Sequence, residues 1–168
     1  IVIAGTNGKT TTSLMLKTIL EEAGFKVISN SSGANLVNGV VSSLIQISSI
    51  SGSLNGDFAI LEADENALPA ILDNLSPNLL VCLNLFRDQL DRYGEVDVIT
   101  EKWQKAIRKL PQKTKLVLNS DDPQIAFLGK NTSLKTIYFG LNDKIGQKKT
   151  FEHATDSLFC PDCGSRLK

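Results

Sequence analysis

One short stretch near the start of the chain limits the fold more than any other, because a glycine loop joins an apolar run to a helical pattern. The run Ile1 to Ala4 is apolar throughout, the loop "GTNGK" occupies residues 5–9, and the helical pattern that follows ends at Gly24. The apolar face of this predicted helix consists of Leu14, Leu16, Ile19, Leu20 and Ala23. A buried strand, a tight loop and a helix in this order are typical of a unit that opens a parallel sheet.

Apolar runs and helical patterns alternate along the chain as far as residue 140. The further strands that we predict are 25–29, 58–64, 78–85, 115–119 and 134–140. The further helices that we predict are 40–50, 66–75, 96–110 and 121–129. Strands that alternate with helices indicate an α/β fold with a mostly parallel sheet and helices on both faces. Ligands of such sheets bind beyond the carboxyl ends of the strands, so the polar residues that follow each strand are the candidates for function.

The glycine loop has the features of a phosphate-binding loop, although it is shorter than the common GxxxxGK[ST] form. Gly5 and Gly8 allow backbone N–H groups to approach phosphate oxygens, and the start of the following helix attracts negative charge. Lys9 supplies a cation for the β- and γ-phosphates, and Thr10 supplies a hydroxyl ligand for Mg²⁺. The nucleotide-binding residues that we predict here are Gly5, Thr6, Asn7, Gly8, Lys9, Thr10 and Thr11. The alternative is a structural glycine turn that contains a lysine by chance, and the strand before the loop and the helix after it argue against this.

One predicted strand ends in acidic residues. Glu62 lies at its inner end, where a carboxylate can reach Mg²⁺ that is bound to a nucleotide. Asp64 and Glu65 follow closely, and either of them could cap the next helix instead. We predict that Glu62 binds Mg²⁺ together with Thr10.

The stretch "NLFRDQLDRYGE" places five charged or amide side chains directly after a buried strand: Arg87, Asp88, Gln89, Asp91 and Arg92. The start of a surface helix would explain mixed charges, but it would not explain their position at the ligand-binding edge of the sheet. Asp88 could bind metal or orient a water molecule. Arg87 or Arg92 could hold a phosphate or a carboxylate.

Two asparagines are candidates for contact with the base of a nucleotide. Asn119 ends a predicted strand, and Asn35 lies in the loop "SNSSGAN". A side-chain amide can donate to an adenine edge and accept from it at once. A structural role for Asn119 is equally open, and Asp121 or Asp122 is expected to cap a helix.

The composition narrows the classes of function. With 168 residues, of which 42% are hydrophobic and 21% charged, the chain is expected to form one globular domain with a core. The 18 Lys and Arg residues balance 18 Asp and Glu residues, which gives no electrostatic reason to expect binding to nucleic acid or to a membrane. No apolar run is long enough to span a bilayer, and no secretory signal is visible. Because the chain begins in a strand pattern and ends in a cysteine motif, we expect it to be part of a longer protein.

The three cysteines have two predicted roles: one is a core residue, and the other two form a pair with metal-ligand spacing. Cys82 lies in the apolar run 78–85 and is expected to be buried. Cys160 and Cys163 form "CPDCG", which has the spacing of one half of a tetrahedral zinc site. Two further ligands would be needed, and His153, the only histidine, is more typical of a solvated loop. A redox pair is the alternative, but such pairs normally open a helix after a strand.

Five motifs together resemble the central, ATP-binding domain of the Mur ligases in order and spacing: "GTNGKTTT", "SNSSGANL", "EADE", "NLFRDQLDRYGE" and "NSDDP". The resemblance implies a short variant of the P-loop in a P-loop NTPase-like sheet. It also implies that the γ-phosphate of ATP is transferred to a carboxylate, and that an amine then attacks the acyl phosphate to form an amide. By this resemblance Lys9, Glu62 and Asp88 are catalytic residues, and the cofactors are ATP and Mg²⁺.

The stretch "NLFRDQLDRYGEVD" and the pair "CPDCG" are similar to one branch of this family, the MurT-type subunits of lipid II isoglutaminyl synthase. The branch implies a central domain at 1–145, followed at 146–168 by a linker and the first half of a four-cysteine zinc ribbon. It implies a cytoplasmic enzyme that amidates the D-glutamate α-carboxylate of lipid II with ammonia from a GatD-type glutaminase partner. Gln89 stands where amino-acid-adding Mur ligases usually have histidine, which puts a second metal at this position in doubt.

Two other functions are compatible with the same motifs. The chain could add an amino acid, as peptidoglycan and folate ligases do, although the cysteine pair and Gln89 argue against this. It could also be a nucleotide-binding regulatory subunit whose zinc ribbon binds a partner or nucleic acid, although the zero net charge argues against nucleic acid. The acidic residues after several strands favour metal–nucleotide chemistry instead.

Overall fold

The computed structural model describes residues 1–30, 34–50, 52–86, 95–130, 132–141 and 159–166. The strands in these ranges are β1 Val2–Ala4, β2 Val27–Ser29, β3 Phe58–Ala63, β4 Leu79–Cys82, β5 Lys115–Asn119 and β6 Lys135–Phe139. The helices are α1 Lys9–Glu22, α2 Val37–Ile47, α3 Leu68–Asn74, α4 Glu95–Ile107 and α5 Pro123–Leu128. Every strand and helix predicted from the sequence is present, and the ends differ by a few residues.

The six strands form one parallel sheet in the order β2-β3-β1-β4-β5-β6. Val2 in the central strand β1 pairs with Leu61 of β3 on one side and with Leu80 of β4 on the other. A helix follows each of the first five strands and returns the chain to the start of the next strand. The carboxyl ends of all six strands therefore lie at one edge of the sheet, where the loops that follow β1, β3 and β4 are neighbours.

Two hydrophobic layers cover the sheet, one on each face. The larger layer packs α2, α3, α4 and α5 against the strands, and it contains Leu61, Cys82 and the fully buried Trp103. The smaller layer consists of Ile3, Ile60 and Leu83 with side chains of α1 packed against them. Helices on both faces and a buried Cys82 are confirmed, and burial raises the pKa of the Cys82 thiol.

The buried face of α1 differs from the predicted one. Leu16 and Leu20 pack against the sheet as expected, but Leu14 and Ile19 are 62% and 63% exposed. Ala23, which follows the helix, is exposed as well. The prediction was wrong for these three residues because α1 carries apolar side chains on more than one side, so the helical period alone could not select the side that faces the sheet.

The predicted boundary between a domain at 1–145 and a segment at 146–168 stays a prediction. Of the second range, the structure describes residues 159–166, which form a turn closed by a bridge between Phe159 and Arg166. Among the helices in the described ranges, none has the length and apolar character needed to cross a membrane.

Candidate active site

The loop between β1 and α1 has the backbone geometry of a tight phosphate-binding loop. Gly8 adopts a left-handed conformation, with a φ of 83°, directly before the first residue of α1. Gly5 approaches the chain that follows β4 so closely that a Cβ atom on it would lie 3.0 Å from the Cβ of Leu83 and 3.1 Å from the backbone of Asn84. Glycine meets both requirements without strain, which explains the two glycines of the motif.

Asn84 holds the first half of this loop against the end of β4. Its backbone carbonyl accepts the Thr6 N–H at 3.0 Å. Its side chain binds both backbone groups of Asn7, because Oδ1 accepts the N–H at 2.8 Å and Nδ2 donates to the carbonyl at 3.1 Å. The Thr6 hydroxyl in turn accepts the N–H of Phe86 at 3.0 Å. The Asn7 N–H, one of the predicted phosphate donors, is therefore engaged by the protein itself.

The second half of the loop leads into a helix start that has no side-chain cap. Within the described part of the chain, the first N–H of α1 to reach an acceptor in the helical pattern is that of Thr12, which donates to the Gly8 carbonyl at 2.9 Å. The N–H groups of Lys9, Thr10 and Thr11 precede it, at positions where an α-helix offers no internal acceptor. Together with the helix dipole, these donors fit the phosphates of a nucleotide.

Lys9 folds over the loop and lies next to these donors. Its Nζ donates to the carbonyls of Gly5 at 2.6 Å and Thr6 at 3.0 Å. The same nitrogen lies 3.9 Å from Oε2 of Glu65, and the two side chains are 12% and 19% exposed. The loop therefore carries a cation in a partly desolvated position, where its attraction for a phosphate is stronger than in bulk water.

Thr10 and Glu62 come from different elements and meet at the same edge of the sheet. The Thr10 hydroxyl, in the first turn of α1, donates to Oε2 of Glu62, near the end of β3, at 2.8 Å. Glu62 is only 6% exposed. Hydroxyl and carboxylate oxygens are ligands that Mg²⁺ prefers, and a cation would compensate a buried negative charge. The two side chains therefore fit the magnesium site that the sequence predicts.

Asn30 binds the backbone of Glu62 from the end of β2. Its Oδ1 accepts the Glu62 N–H at 2.9 Å, and its Nδ2 donates to the Glu62 carbonyl at 3.0 Å and to the Ala34 carbonyl at 2.7 Å. Nearby, the carbonyl of Asn35 accepts the Asp64 N–H at 2.9 Å. The loop after β2 is thus attached to the end of β3 at two points, which places Asn35 beside the acidic residues. Its contact with a nucleotide stays a prediction.

The residues that follow Glu62 do not cap the next helix with their side chains. Residue Ala67 occupies the cap position of α3, and no side chain hydrogen bonds there. Asp64 instead accepts the N–H of Asn66 at 3.0 Å, in the turn before the helix. The carbonyl of Glu65 accepts the indole N–H of Trp103 at 2.8 Å, which fixes this residue beside Lys9.

A second polar cluster follows β5 and is used by the protein itself. Asn119 donates from Nδ2 to the Leu83 carbonyl at 2.9 Å, and its Oδ1 accepts the Asp121 N–H at 2.9 Å. Asp122 caps α5 as predicted, since its side chain accepts two N–H groups of the first turn. Its second oxygen accepts the Leu85 N–H at 2.7 Å. The Asn119 amide still has one hydrogen and one lone pair to offer, so its contact with adenine stays a prediction.

Several predicted residues lie outside the described ranges. They are Arg87, Asp88, Gln89, Asp91, Arg92 and His153. The catalytic role of Asp88 and the effect of Gln89 on a second metal therefore stay predictions.

Cys160 and Cys163 lie in the turn 159–166. The Cys160 N–H donates to the Ser165 carbonyl at 2.8 Å, and the Gly164 N–H donates to the Cys160 carbonyl at 2.9 Å. Hydrogen bonds from Ser165 and then from Cys160 lower the pKa of the Cys163 thiol, which favours the thiolate that binds zinc. In the part of the chain that the structure describes, no three His, Cys, Asp or Glu side chains come together to hold a metal ion, so a zinc site is not confirmed.

A parallel sheet with such a loop, a lysine over it and a hydroxyl–carboxylate pair at the same edge defines an α/β domain of the P-loop type. The chain belongs to the Mur ligase family, since the family model for the Mur ligase middle domain matches residues 3–161. The MurF structure from Acinetobacter baumannii shows the same fold, with a TM-score of 0.70 and 23% identity over 84% of this chain and 30% of that one.

Two curated relatives match the chain along its whole length. It is 38% identical over 168 residues to the lipid II isoglutaminyl synthase (glutamine-hydrolyzing) subunit MurT of Streptococcus pneumoniae. It is 35% identical over 170 residues to the subunit of the same name in Staphylococcus aureus. Both matches cover 100% of this chain, and it spans 36% and 37% of the two relatives.

Three residues have contacts in the site that the sequence did not predict. Asn84 holds the phosphate loop, Asn30 holds the Glu62 backbone, and Glu65 lies beside Lys9. All three follow a strand within two residues of its end, so the signal was their position at the carboxyl edge. Their partners, Asn7, Glu62 and Lys9, belong to other parts of the fold, and a single sequence does not show which strand ends are adjacent.

Proposed function

We propose that this chain is the ATP-binding domain of an amide-forming ligase of peptidoglycan synthesis. The observation that carries the proposal is the hydrogen bond between Thr10 and Glu62 beside the phosphate loop, because it puts two magnesium-type ligands at the start of α1. The similarity to MurT subunits of lipid II isoglutaminyl synthase supports amidation, with nitrogen from glutamine, as the overall reaction.

Each residue of the site has its own proposed contact with the nucleotide or with Mg²⁺. The N–H groups at the start of α1 bind phosphate oxygens, and Lys9 neutralises the negative charge that builds up as the γ-phosphoryl group moves to a carboxylate. Thr10 and Glu62 hold Mg²⁺, which supplies electrostatic stabilisation of the phosphates when bound. Asp88 is proposed as a further metal ligand or as a residue that orients a water molecule. Contacts with the rest of the nucleotide are proposed for Asn35 and Asn119.

The names of the MurT relatives support a proposal for the acceptor and the partner. The proposed acceptor is the α-carboxylate of the D-glutamate in lipid II, and the product carries D-isoglutamine in its place. A GatD-type glutaminase subunit would supply the ammonia, and the reaction would take place in the cytoplasm. Cys160 and Cys163 would supply two ligands of a structural zinc ion, with the other two provided elsewhere in the protein.

The test uses the complete protein together with its glutaminase partner. Both are incubated with lipid II, ATP, Mg²⁺ and glutamine, and the lipid product is weighed by mass spectrometry. The small mass decrease of an exchange of hydroxyl for amino group is the expected result. It should disappear in Lys9→Ala and persist in the matched variant Lys17→Ala, because Lys17 lies on α1 away from the loop and pairs with Glu21.

Two other results would contradict the proposal in different ways. A mass gain equal to an amino-acid residue would show an amino-acid-adding ligase. Unchanged lipid, with ATP bound and not consumed, would show a nucleotide-binding regulatory subunit.

A further inference from the structure

We propose that Asn30 is a positioning residue of the metal site, because its amide takes the place of a missing strand partner of Glu62 and so fixes the direction of the Glu62 carboxylate. The inference rests on the metal role of Glu62 under the proposed function. It concerns a residue in the loop after β2, outside the phosphate loop, that contacts the backbone of Glu62 and not the carboxylate predicted to bind the metal.

The ladder between β2 and β3 ends before it reaches Glu62. Its last pair is Ser29 with Ile60. Along a parallel strand, the N–H and carbonyl of one residue point to the same neighbouring strand. Those of the next residue point to the opposite side. Leu61 pairs towards β1 and donates its N–H to the Ile1 carbonyl at 2.9 Å. The N–H and carbonyl of Glu62 therefore point to the other side, where β2 has already ended.

The Asn30 side chain occupies this gap with the geometry of a peptide group. It accepts the Glu62 N–H at 2.9 Å and donates to the Glu62 carbonyl at 3.0 Å. Asn30 is 5% exposed, so water does not replace it easily, and a buried backbone group without a partner is destabilising. The amide nitrogen also donates to Ala34, whose backbone lies so close to α2 that a Cβ atom on Gly39 would be 2.7 Å from it. The Asn30 amide is therefore held by hydrogen bonds to Glu62 in β3 and to Ala34, which lies against α2.

A continuous series of contacts joins this amide to the metal ligands. Asn30 fixes the Glu62 backbone, and the Glu62 carboxylate accepts the Thr10 hydroxyl at 2.8 Å. A small rotation of the Glu62 peptide would move its carboxylate away from Thr10, since the side chain leaves the backbone at that residue. Groups that orient a metal ligand commonly change metal affinity by about 10- to 100-fold when they are lost.

Asn30→Asp tests the inference in the complete protein, because it keeps the acceptor for the Glu62 N–H and replaces only the donor. Equilibrium binding of ADP is measured without Mg²⁺ and then at rising Mg²⁺ concentrations. We expect the Mg²⁺ concentration for half-maximal enhancement of binding to rise by about 10-fold, with unchanged affinity for ADP alone. The added negative charge would by itself attract Mg²⁺ and lower that concentration, so a rise reports the lost position of Glu62.

The matched control is Asn74→Asp, because Asn74 makes the same type of contact, from Nδ2 to the Ala70 carbonyl at 2.9 Å, on the exposed side of α3. It should leave both affinities unchanged. Asn30→Ala is the second variant, and it should raise the Mg²⁺ requirement without adding charge.

Three results would overturn the inference. They are an unchanged or lower Mg²⁺ requirement in Asn30→Asp, an equal loss of ADP affinity with and without Mg²⁺, or failure of both Asn30 variants to fold. The variant Glu62→Gln separates this outcome from failure of the proposed function. If Glu62→Gln raises the Mg²⁺ requirement and the Asn30 variants do not, Asn30 alone has been assigned wrongly; if neither does, the metal site itself is wrong.

Discussion

Two polar clusters at the carboxyl edge of the same sheet use their hydrogen-bonding groups in opposite ways. In the phosphate-loop cluster, formed by Lys9, Thr10 and Glu62, the helix that follows the strand begins without a side-chain cap. In the α5 cluster, formed by Asn119 and Asp122, the following helix begins with a carboxylate that accepts two of its N–H groups. A polar residue after a strand is thus a poor guide to function by itself. The state of the helix start beside it is more informative.

The two clusters differ in what accepts hydrogen bonds from the first N–H groups of the helix. An α-helix leaves them without internal acceptors, and either a side chain or a ligand can satisfy them. Asp122 satisfies those of α5 and also binds the Leu85 N–H. Among the residues that the structure describes, no side chain does this for α1, where Gly8 stands at the cap position. Substitutions in the first cluster should therefore change ligand binding, and substitutions in the second should change stability.

The largest effect is expected for Lys9→Ala. Loss of a cation that neutralises the moving phosphoryl group should lower the rate of nucleotide-dependent ligation by about 100-fold or more. The melting temperature should stay close to that of the unchanged protein, because the Lys9 Nζ donates to two loop carbonyls and lies 3.9 Å from Glu65. Single-turnover kinetics and thermal unfolding measure the two quantities. A large loss of stability with a normal ligation rate would show that Lys9 has a structural role, as expected for the α5 cluster and not for the phosphate-loop cluster.

Asp122→Ala should show the opposite pattern. Loss of the helix cap and of the bond to the Leu85 N–H should lower the free energy of unfolding by about 2–3 kcal/mol. ADP affinity should not change under conditions where the variant is folded. Denaturant unfolding and calorimetric titration test both statements. Asp121→Ala is the control, since Asp121 is exposed and accepts one N–H from Leu141; a similar loss in this variant would contradict the special role of the cap.

Two glycines sharpen the comparison, because they share a backbone conformation but not a location. Gly8 has a φ of 83° in the loop, and Gly24 has a φ of 87° after α1, with no atom within 4 Å of an added Cβ. Alanine at either position should lower the free energy of unfolding by about 1–2 kcal/mol through backbone strain. Only Gly8→Ala should also weaken ADP binding, since it disturbs the start of α1. Equal ADP affinities in the two variants would remove the loop from the nucleotide site.

The smallest effect is expected for Asn119→Ala. The amide bridges the Leu83 carbonyl and the Asp121 N–H, so its loss should lower the free energy of unfolding by about 1 kcal/mol. Competition binding measures the preference for ADP over GDP, and an unchanged preference would give Asn119 the structural role alone. A marked loss of this preference would show that Asn119 contacts the adenine after all, and that the α5 cluster also serves the ligand.

The sequence was sufficient to predict the strands, the helices and the ligand-binding residues of the phosphate-loop motif. It was not sufficient to predict the side chains that hold those residues in position. Apolar runs located the strands because burial on both faces leaves a continuous signal, and β5 has the bounds that were predicted. Lys9, Thr10 and Glu62 could be found because each has a position relative to a strand and a chemistry of its own. The side of α1 that faces the sheet could not be found, since Leu14 and Ile19 are as apolar as the residues that are buried.

The roles of Asn30 and Asn84 depend on tertiary structure alone. Asn30 matters because the ladder between β2 and β3 ends at Ile60, two residues before Glu62. Asn84 matters because the chain after β4 passes beside the loop. The local sequence around these asparagines does not predict either fact. A loop pattern can therefore predict which residues meet the ligand before it can predict which residues hold them in place.

The most direct test of the account is the Mg²⁺ dependence of ADP binding in the complete protein and in Glu62→Gln. Glutamine keeps the size of the side chain and an acceptor for the Thr10 hydroxyl, and it removes the charge that a divalent cation requires. The account predicts that the variant binds ADP alone with normal affinity and needs at least about 10-fold more Mg²⁺ for the same enhancement. The same Mg²⁺ dependence in both proteins would contradict the assignment of Thr10 and Glu62 as the metal site.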